Sequence, residues 1–257
     1  MALLVAFMQG AAVCAGTNSD DREVPNPPFL PGAKPWEGDP RRSPEQARAR
    51  AGPALLPNVI SVFGSSVADG AFCGGNCSGH ALGTPGVGGC YQSRLREYQE
   101  TYDNRTVFNN CHGGDTTTKL LNRFYQFVAS RASMVVIGLS LANQGLPECL
   151  YNSSDCQVVY DSYRDGMLEL LARIKAVGAK PIIAGCYPNS GYNAQQYGLI
   201  KQMNLLTQTW DVSGVNFLGT IDDGHGRWVE GFHANGGHPN NNGSTEMYYS
   251  CARPSVL

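Results

Sequence analysis

Four short polar segments of this chain contain the residue types that acyl transfer to a serine requires. In chain order they supply Ser66, Gly114, Asn143 and His238. A serine hydroxyl becomes a nucleophile when an imidazole accepts its proton, and amide N–H groups can bind the oxyanion that the attack creates. These four residue types suffice for a serine hydrolase if the fold brings them into one cleft.

Each segment alone also has a structural explanation. Glycine, serine and asparagine are common in tight turns, and Asp115 or Thr116 can cap the helix that follows Gly114. A single histidine is more often a surface or hydrogen-bonded residue than a catalyst. A functional interpretation therefore depends on where the predicted strands and helices place the four segments.

Five apolar stretches predict strands at residues 59–63, 106–109, 134–138, 181–185 and 215–218. Apolar residues recur at helical spacing over 120–128, 160–177 and 197–210, and a last helix is predicted over 241–251. Strands that alternate with helices predict a parallel sheet. The expected fold class is α/β: a three-layer α/β/α sandwich with a parallel, flavodoxin-like five-stranded sheet.

Ligands of such sheets bind at the carboxyl ends of the strands. The polar segments begin after Phe63, Asn109 and Ile137, at the ends of the first three predicted strands, and the last of them lies beyond the fifth strand. The pattern therefore predicts that the four segments share one edge of the sheet.

In this order and position, the segments resemble the conserved blocks of the SGNH (GDSL-type) hydrolases. The first block of that family is usually Gly-Asp-Ser with a glycine four residues after the serine, and it is matched by Gly64-Ser65-Ser66 and Gly70. The second block supplies a glycine, matched by Gly114, and the third an asparagine, matched by Asn143. The last block is usually Asp-x-x-His-Pro-Asn, and the matching residues run from Asn235 through His238 to Asn240. The resemblance covers about residue 56 to the end of the chain.

The resemblance implies a mechanism as well as a fold. Ser66 would attack a carboxylic ester, with His238 as its base and an acyl-enzyme as the intermediate. The oxyanion would be held by the backbone N–H groups of Ser66 and Gly114 and by the side-chain amide of Asn143. No cofactor and no metal ion are implied. The polar segments favour a small-molecule or carbohydrate ester, with a sugar-linked or small acyl group, over a long-chain lipid.

Two positions depart from the family pattern. Ser65 stands where the first block usually has a non-catalytic aspartate. Asn235 stands where the third member of the triad should be an aspartate, and an asparagine orients an imidazole without supplying charge. This departure keeps two alternatives open: a non-catalytic protein that binds a glycan, and an acyltransferase that uses the same serine and histidine.

A second Asp-x-x-His spacing follows the fifth predicted strand. Asp222 and Asp223 are therefore alternative acids, and His225 and His233 are alternative bases. His238 is preferred because Pro239 and the helix beyond it match the family pattern.

The N-terminal region predicts export. Residues 1–16 combine an apolar run with small residues, which is typical of a signal peptide cut after about Ala15 or Gly16, although a buried N-terminal strand or helix is the alternative. Residues 17–53 form a Pro-rich leader, and residues 54–257 form the SGNH-hydrolase-like domain. Four glycosylation sequons agree with a secreted, extracellular location; they begin at Asn76, Asn104, Asn152 and Asn242.

Nine cysteines point to the same compartment. Cys14 would leave with the signal peptide, and the other eight could form four disulfides, of which Cys149–Cys156 is the simplest to propose. Those eight are Cys73, Cys77, Cys90, Cys111, Cys149, Cys156, Cys186 and Cys251. A loosely zinc-like set is the competing interpretation for the Gly-rich insertion; it would comprise Cys73, Cys77, His80 and Cys90.

The formal net charge of -2 provides no electrostatic basis for binding nucleic acid or an anionic membrane. No segment after the N-terminal run is apolar enough to predict a membrane span. The sequence leaves the oligomeric state open.

Overall fold

The computed structural model describes residues 54–71, 90–149 and 154–251. The predicted signal peptide (1–16), the Pro-rich leader (17–53) and most of the Gly-rich insertion lie outside the described residues. In the part of the chain that is described, no helix is long and apolar enough to cross a membrane.

Five parallel strands form one sheet with the spatial order β2-β1-β3-β4-β5. The strands are β1 (Leu56–Gly64), β2 (Thr106–Asn109), β3 (Ala132–Gly138), β4 (Lys180–Ile183) and β5 (Ser213–Gly214). This is the strand order of flavodoxin-like doubly wound sheets. The predicted fold class is therefore confirmed.

Helices cover both faces of the sheet. Within the described ranges the α-helices are α1 (Ser66–Asp69), α2 (Tyr91–Tyr102), α3 (Thr117–Asn122), α4 (Phe124–Ser130), α5 (Ser154–Ala176), α6 (Ala194–Gln208), α7 (Leu218–Ile221) and α8 (Asn241–Cys251). One apolar core joins the sheet to α3, α4, α5 and α6, and the other joins it to α1, α2 and α8.

The two cores follow from the alternation of side chains along each strand. On the central strand β3, Val135 and Ile137 face the first core, whereas Met134 and Val136 face the second. A strand that is buried on both faces is apolar throughout, and this uninterrupted apolar run is why β3 could be predicted from the sequence.

Two glycines allow the ends of β1 and β3 to approach α1 closely. A Cβ atom on Gly64 would lie 2.3 Å from the carbonyl oxygen of Gly138, and one on Gly138 would lie 2.4 Å from the Cβ of Ala68. Any larger residue would push the first turn of α1 away from the sheet. The glycines therefore set the position of Ser66, the first residue of α1.

A small antiparallel hairpin follows α7 and carries the last polar segment. Its strands are β6 (His233–Asn235) and β7 (His238–Pro239), and Gly236 and Gly237 form the turn between them. Asn235 and His238 thus lie at the two ends of a two-residue turn.

Some predicted elements were wrong in detail. The predicted helix over 120–128 is two helices, because one helix ends at Asn122, the next begins at Phe124, and Arg123 lies between them. The predicted fifth strand over 215–218 is also wrong: β5 ends at Gly214, and a helix begins at Leu218. Val215 still donates its N–H to Ile183 over 2.8 Å, so the apolar pattern there marks burial and not an extended strand.

The expectation of four disulfides is wrong. Cys149 and Cys156 form the predicted bridge, and Cys90 is disulfide-bonded, but Cys111 and Cys186 are free and buried. These two thiols belong to the cores on opposite faces of the sheet, so the sheet itself keeps them apart. Counting cysteines cannot reveal such a separation.

Candidate active site

Ser66 lies at the junction between the first strand and the first helix. Ser65 is in extended conformation with its N–H bonded to Gly138, and Ser66 begins the single turn of α1. That turn ends at Gly70, whose φ of 85° lies in the left-handed region that glycine adopts without strain. Ser66 is half-buried, so its side chain is held by the backbone while remaining accessible.

The β6–β7 hairpin brings His238 to this serine. The Nε2 atom of His238 lies 2.8 Å from the Oγ of Ser66, and its Nδ1 lies 3.0 Å from the Oδ1 of Asn235. The three side chains thus form the serine–histidine–third residue chain that nucleophilic catalysis uses.

The hydrogen bonds around Asn235 determine which ring nitrogen of His238 carries the proton. The backbone N–H of Gly237 donates to Asn235 over 2.9 Å, so the atom that receives it must be the carbonyl oxygen of the amide. The same oxygen faces Nδ1, which must therefore be the protonated nitrogen of the neutral ring. Nε2 then carries the lone pair and accepts the hydroxyl proton of Ser66.

The environment keeps His238 in this neutral, basic form. Burial lowers the pKa of His238 below its ordinary value, because desolvation penalises the imidazolium. Asn235 carries no charge that could offset this effect. The shift therefore favours the neutral imidazole, which is the form that a base for Ser66 would need.

Backbone donors lie beside Ser66 on the loop after β2. A Cβ atom on Gly113 would lie 3.9 Å from the Cβ of Ser66, which places the turn at Gly113 and Gly114 against the nucleophile. In the described residues, the N–H groups of Ser66 and Gly114 donate to no protein atom. Gly114 has a φ of 78°, and a Cβ atom added to it would meet nothing within 4 Å in the described residues.

The amide of Asn143 follows β3 in a short 3-10 turn. Its Oδ1 accepts the backbone N–H of Ser140 over 2.9 Å and the hydroxyl of Tyr187 over 2.5 Å. Both donors require the oxygen at this end of the amide, so Nδ2 points the other way. Nδ2 has no hydrogen-bond acceptor among the described protein atoms, so it is free to donate to another molecule.

Comparison of this geometry with known proteins shows the fold but no close relative. Neither a protein-family model nor a curated protein sequence matches the chain. A structure from Desulfitobacterium hafniense, described as a lipolytic protein of the G-D-S-L family, superposes with a TM-score of 0.56 at 16% identity, covering 78% of this chain and 99% of that one. A GDSL-like lipase from Bacteroides thetaiotaomicron gives 0.52 at 14% identity, with coverage of 80% and 91%.

The chain has the SGNH hydrolase fold. A third structure, a catalytic mutant of an acetylxylan esterase from Geobacillus stearothermophilus, gives a TM-score of 0.54 at 17% identity and covers 77% of this chain and 94% of that one. The aspartate-to-alanine change in that mutant identifies a catalytic aspartate in the esterase.

A buried arginine connects the first two SGNH segments. Arg123 donates to the carboxylate of Asp115 over 2.5 Å, to the carbonyl of Asn110 over 2.6 Å and to the carbonyl of Gly64 over 3.2 Å. The side chains of Arg123 and Asp115 are only 10% and 8% exposed. Burial raises the pKa of Asp115, and the adjacent guanidinium opposes that rise.

Gln144 connects the second and third segments in a similar way. Its Oε1 accepts both the backbone N–H and the hydroxyl of Thr117 over 3.2 Å, at the start of α3. Because Gln144 follows Asn143 directly, this contact links the Asn143 turn to the start of α3, which follows the Gly114 turn.

The alternative acids and bases lie in other networks. Asp222 bonds the hydroxyl of Tyr197 and the N–H of Gly226, and Asp223 accepts the N–H groups of His225 and Arg227. His233 is exposed on β6, where it pairs with Pro239. The structure therefore places Asn235, and not Asp222 or Asp223, at the Nδ1 of the histidine that contacts Ser66.

The described residues contain no group of three or more His, Cys, Asp or Glu side chains placed to hold a metal ion. Of the zinc-like set considered from the sequence, Cys90 is disulfide-bonded, and the other three residues lie outside the described ranges. A disulfide sulfur does not serve as a thiolate ligand.

Sequence reasoning missed three residues that support the site: Arg123, Gln144 and Tyr187. An arginine within an amphipathic helical pattern is usually a surface residue, and Arg123 lies in such a pattern. Gln144 directly follows Asn143, a proposed donor, and this position could have indicated a supporting role. No sequence pattern indicated a role for Tyr187, because its contact with Asn143 joins two loops that are 44 positions apart.

Proposed function

We propose that this protein is a secreted serine esterase of the SGNH type that hydrolyses carboxylic esters through an acyl-enzyme. The observation that carries the proposal is the 2.8 Å contact between His238 Nε2 and Ser66 Oγ, with Asn235 at the far side of the ring. The N–H groups of Ser66 and Gly114 and the Nδ2 atom of Asn143 donate to no atom of the described residues, and they are the donors that the proposal assigns to the developing oxyanion.

In the first half of the reaction, Ser66 Oγ forms a bond to the carbonyl carbon while its proton passes to His238 Nε2. The carbonyl π electrons move to oxygen, and this oxyanion accepts hydrogen bonds from Ser66, Gly114 and Asn143. When the tetrahedral intermediate collapses, the bond to the alcohol oxygen breaks and His238 returns its proton to the leaving alcohol.

In the second half, water replaces the alcohol. His238 Nε2 takes one proton from water, and the water oxygen attacks the acyl carbon of the ester formed with Ser66. The second tetrahedral intermediate expels the serine oxygen, which regains a proton from His238. The products are a carboxylic acid and the original enzyme.

Esters of a small acyl group, attached to a carbohydrate or another small alcohol, are the proposed substrates. Gly113, Gly114, Asn235 and Gly236 are all exposed, so the described rim of the site is open to a bulky polar alcohol. One structural neighbour is described as an acetylxylan esterase, which is consistent with this class. A sugar carrying an acetyl group fits an open, polar rim better than a long acyl chain, which needs an apolar channel.

Secretion is proposed from the N-terminal sequence and from the cysteines. The disulfide between Cys149 and Cys156 is of the kind that persists in oxidising compartments. The sequon residues Asn104 and Asn242 are exposed, as carriers of glycans must be.

A fluorophosphonate probe combined with a panel of acetyl, feruloyl and longer acyl esters tests the proposal. We expect the probe to label a peptide that contains Ser66, and Ser66→Ala to abolish labelling and ester hydrolysis. Ser65→Ala is the matched control, because this neighbouring serine is fully buried and its hydroxyl has no hydrogen-bond partner among the described residues. Equal loss in the two variants, or labelling elsewhere, would contradict the assignment.

The alternative is a glycan-binding or acyl-transferring protein of the same fold, and Asn235 is the observation that favours it. A neutral third residue stabilises the imidazolium less than an aspartate does. Folded protein that binds acetylated oligosaccharides without labelling at Ser66 would identify a binding protein. An acylated sugar product formed when an acceptor sugar is added would identify an acyltransferase.

A further inference from the structure

Tyr187 is buried next to the amide that the mechanism assigns to the oxyanion. It lies after β4, only 2% exposed, and its ring stacks on Trp228 with centroids 6.1 Å apart and planes 22° apart. The indole N–H of Trp228 donates to the carbonyl of Gly236 over 3.0 Å, so the indole is itself restrained. The tyrosine ring consequently has a fixed position between the Asn143 turn and the β6–β7 hairpin.

The hydroxyl of Tyr187 is a donor, because the Oδ1 atom that it contacts can only accept. Burial raises the pKa of Tyr187 above its usual value, so the hydroxyl keeps its proton throughout the range in which His238 titrates. Together with the backbone N–H of Ser140, it places two donors on one amide oxygen.

We propose that Tyr187 is a positioning residue for acyl transfer: its hydroxyl holds the Asn143 amide so that Nδ2 donates to the oxyanion. The inference rests on the proposed esterase function and extends it to a residue outside the four polar segments. Hydrogen bonds in a chain polarise one another, so two donors on the amide oxygen make the Nδ2 hydrogens stronger donors. Tyr187 acts through Asn143 and does not touch the substrate.

The rate of phosphonylation of Ser66 by a fluorophosphonate tests this role without knowledge of the natural ester. In that step the Ser66 oxygen forms a bond to phosphorus, fluoride leaves with the P–F electron pair, and His238 takes the serine proton. The phosphoryl oxygen occupies the oxyanion site. The limiting rate constant kinact therefore reports on the Asn143 donor, whereas the half-saturating concentration KI reports on ground-state binding.

We expect Tyr187→Phe to lower kinact about tenfold while KI changes less than about twofold, since one supporting hydrogen bond is lost and the ring stays in place. Tyr197→Phe is the matched control. The hydroxyl of Tyr197 donates to the carboxylate of Asp222, so this variant also loses a tyrosine hydroxyl hydrogen bond, but in a network that does not include Asn143 or Ser140. Similar losses of thermal stability in the two variants, with kinact reduced only in Tyr187→Phe, support the proposal.

A double-mutant cycle separates positioning from a merely structural role. Asn143→Ala removes the donor itself and should lower kinact about 10²- to 10³-fold. The double variant Tyr187→Phe/Asn143→Ala should be no slower than Asn143→Ala alone, because Tyr187 then has no amide to hold. Additive losses, or an unchanged kinact in Tyr187→Phe, would overturn the role of Tyr187 while leaving Ser66-dependent labelling intact. Absence of labelling in the unmodified protein would overturn both the role and the proposed function.

Discussion

Replacing Asn235 by aspartate adds a negative charge at the third position of the triad, where the SGNH family usually has an aspartate. Asn235→Asp keeps the size of the side chain and leaves an oxygen to accept the N–H groups of Gly237 and His238. The perturbation is therefore almost purely electrostatic, and it tests how the neutral residue affects the base.

The magnitude can be worked from the 3.0 Å contact between Asn235 Oδ1 and His238 Nδ1. A unit charge about 4 Å from the centre of the imidazolium interacts with it by about 4 kcal/mol at an effective dielectric constant of 20. Because position 235 is exposed, this value is an upper bound. We expect the pKa of His238 to rise by about one to two units, which corresponds to about 1.4 to 2.7 kcal/mol.

The sign of the pH effect follows from the form of the ring that reacts. Only neutral His238 can accept the proton of Ser66, so activity is lost as the pH falls through the pKa of the histidine. In the native protein burial lowers that pKa, and we expect the acidic limb of kcat/KM to lie below the ordinary histidine value of about 6.5. In Asn235→Asp the limb should move to higher pH by about one to two units, while the plateau rate rises about ten- to a hundredfold through a better stabilised imidazolium.

Hydrolysis of a fluorogenic acetyl ester between about pH 4 and pH 9 measures both effects. Proton NMR titration of the histidine C2–H signals reports the pKa directly, and the spectrum of His238→Ala identifies the signal. Asn122→Asp is the matched control, because it adds a carboxylate at an exposed position of α3 that is not part of a glycosylation sequon. An acidic limb that stays in place in Asn235→Asp, together with an unchanged plateau, would show that His238 is not the base or that Asn235 does not act on it.

Two further variants test the supports of the site. Arg123→Met should lower the free energy of unfolding in urea by about 3–5 kcal/mol, because Asp115 would remain buried without its partner. Arg164→Met is the control and should change that free energy little, because it breaks only exposed ion pairs that solvent screens. Gly138→Ala should lower the thermal midpoint and kcat/KM together, with about 1–3 kcal/mol lost to overpacking, since its Cβ would lie 2.4 Å from another side chain. Gly198→Ala, in open space on α6, should leave kcat/KM unchanged and would contradict this explanation if it reduced activity equally.

The sequence predicted the central sheet well because strands buried on both faces leave an uninterrupted apolar signal. The same signal misled at residues 215–218, where burial continues after the strand has ended. Helix α2 was missed for the opposite reason: its buried residues include Gln92, Ser93 and Gln99, so polar side chains interrupt the apolar period. Both differences arise because hydropathy reports burial, whereas the backbone conformation also depends on partners that are distant in sequence.

The residues of the candidate site could be predicted from the sequence because each of them is adjacent to the end of a predicted element. The residues that support the site could not be predicted in this way, because each makes its main contact with a segment that is distant in the sequence. Arg123 reaches the ends of β1 and β2, Gln144 reaches the start of α3, and Tyr187 reaches Asn143. A hydrolase with a neutral third residue depends more on orientation than on charge, because its imidazolium receives no countercharge from position 235. For that reason we expect Tyr187→Phe to lower the rate of ester hydrolysis more in the native background than in the Asn235→Asp background. In the latter, the added carboxylate stabilises the transition state through the imidazolium of His238.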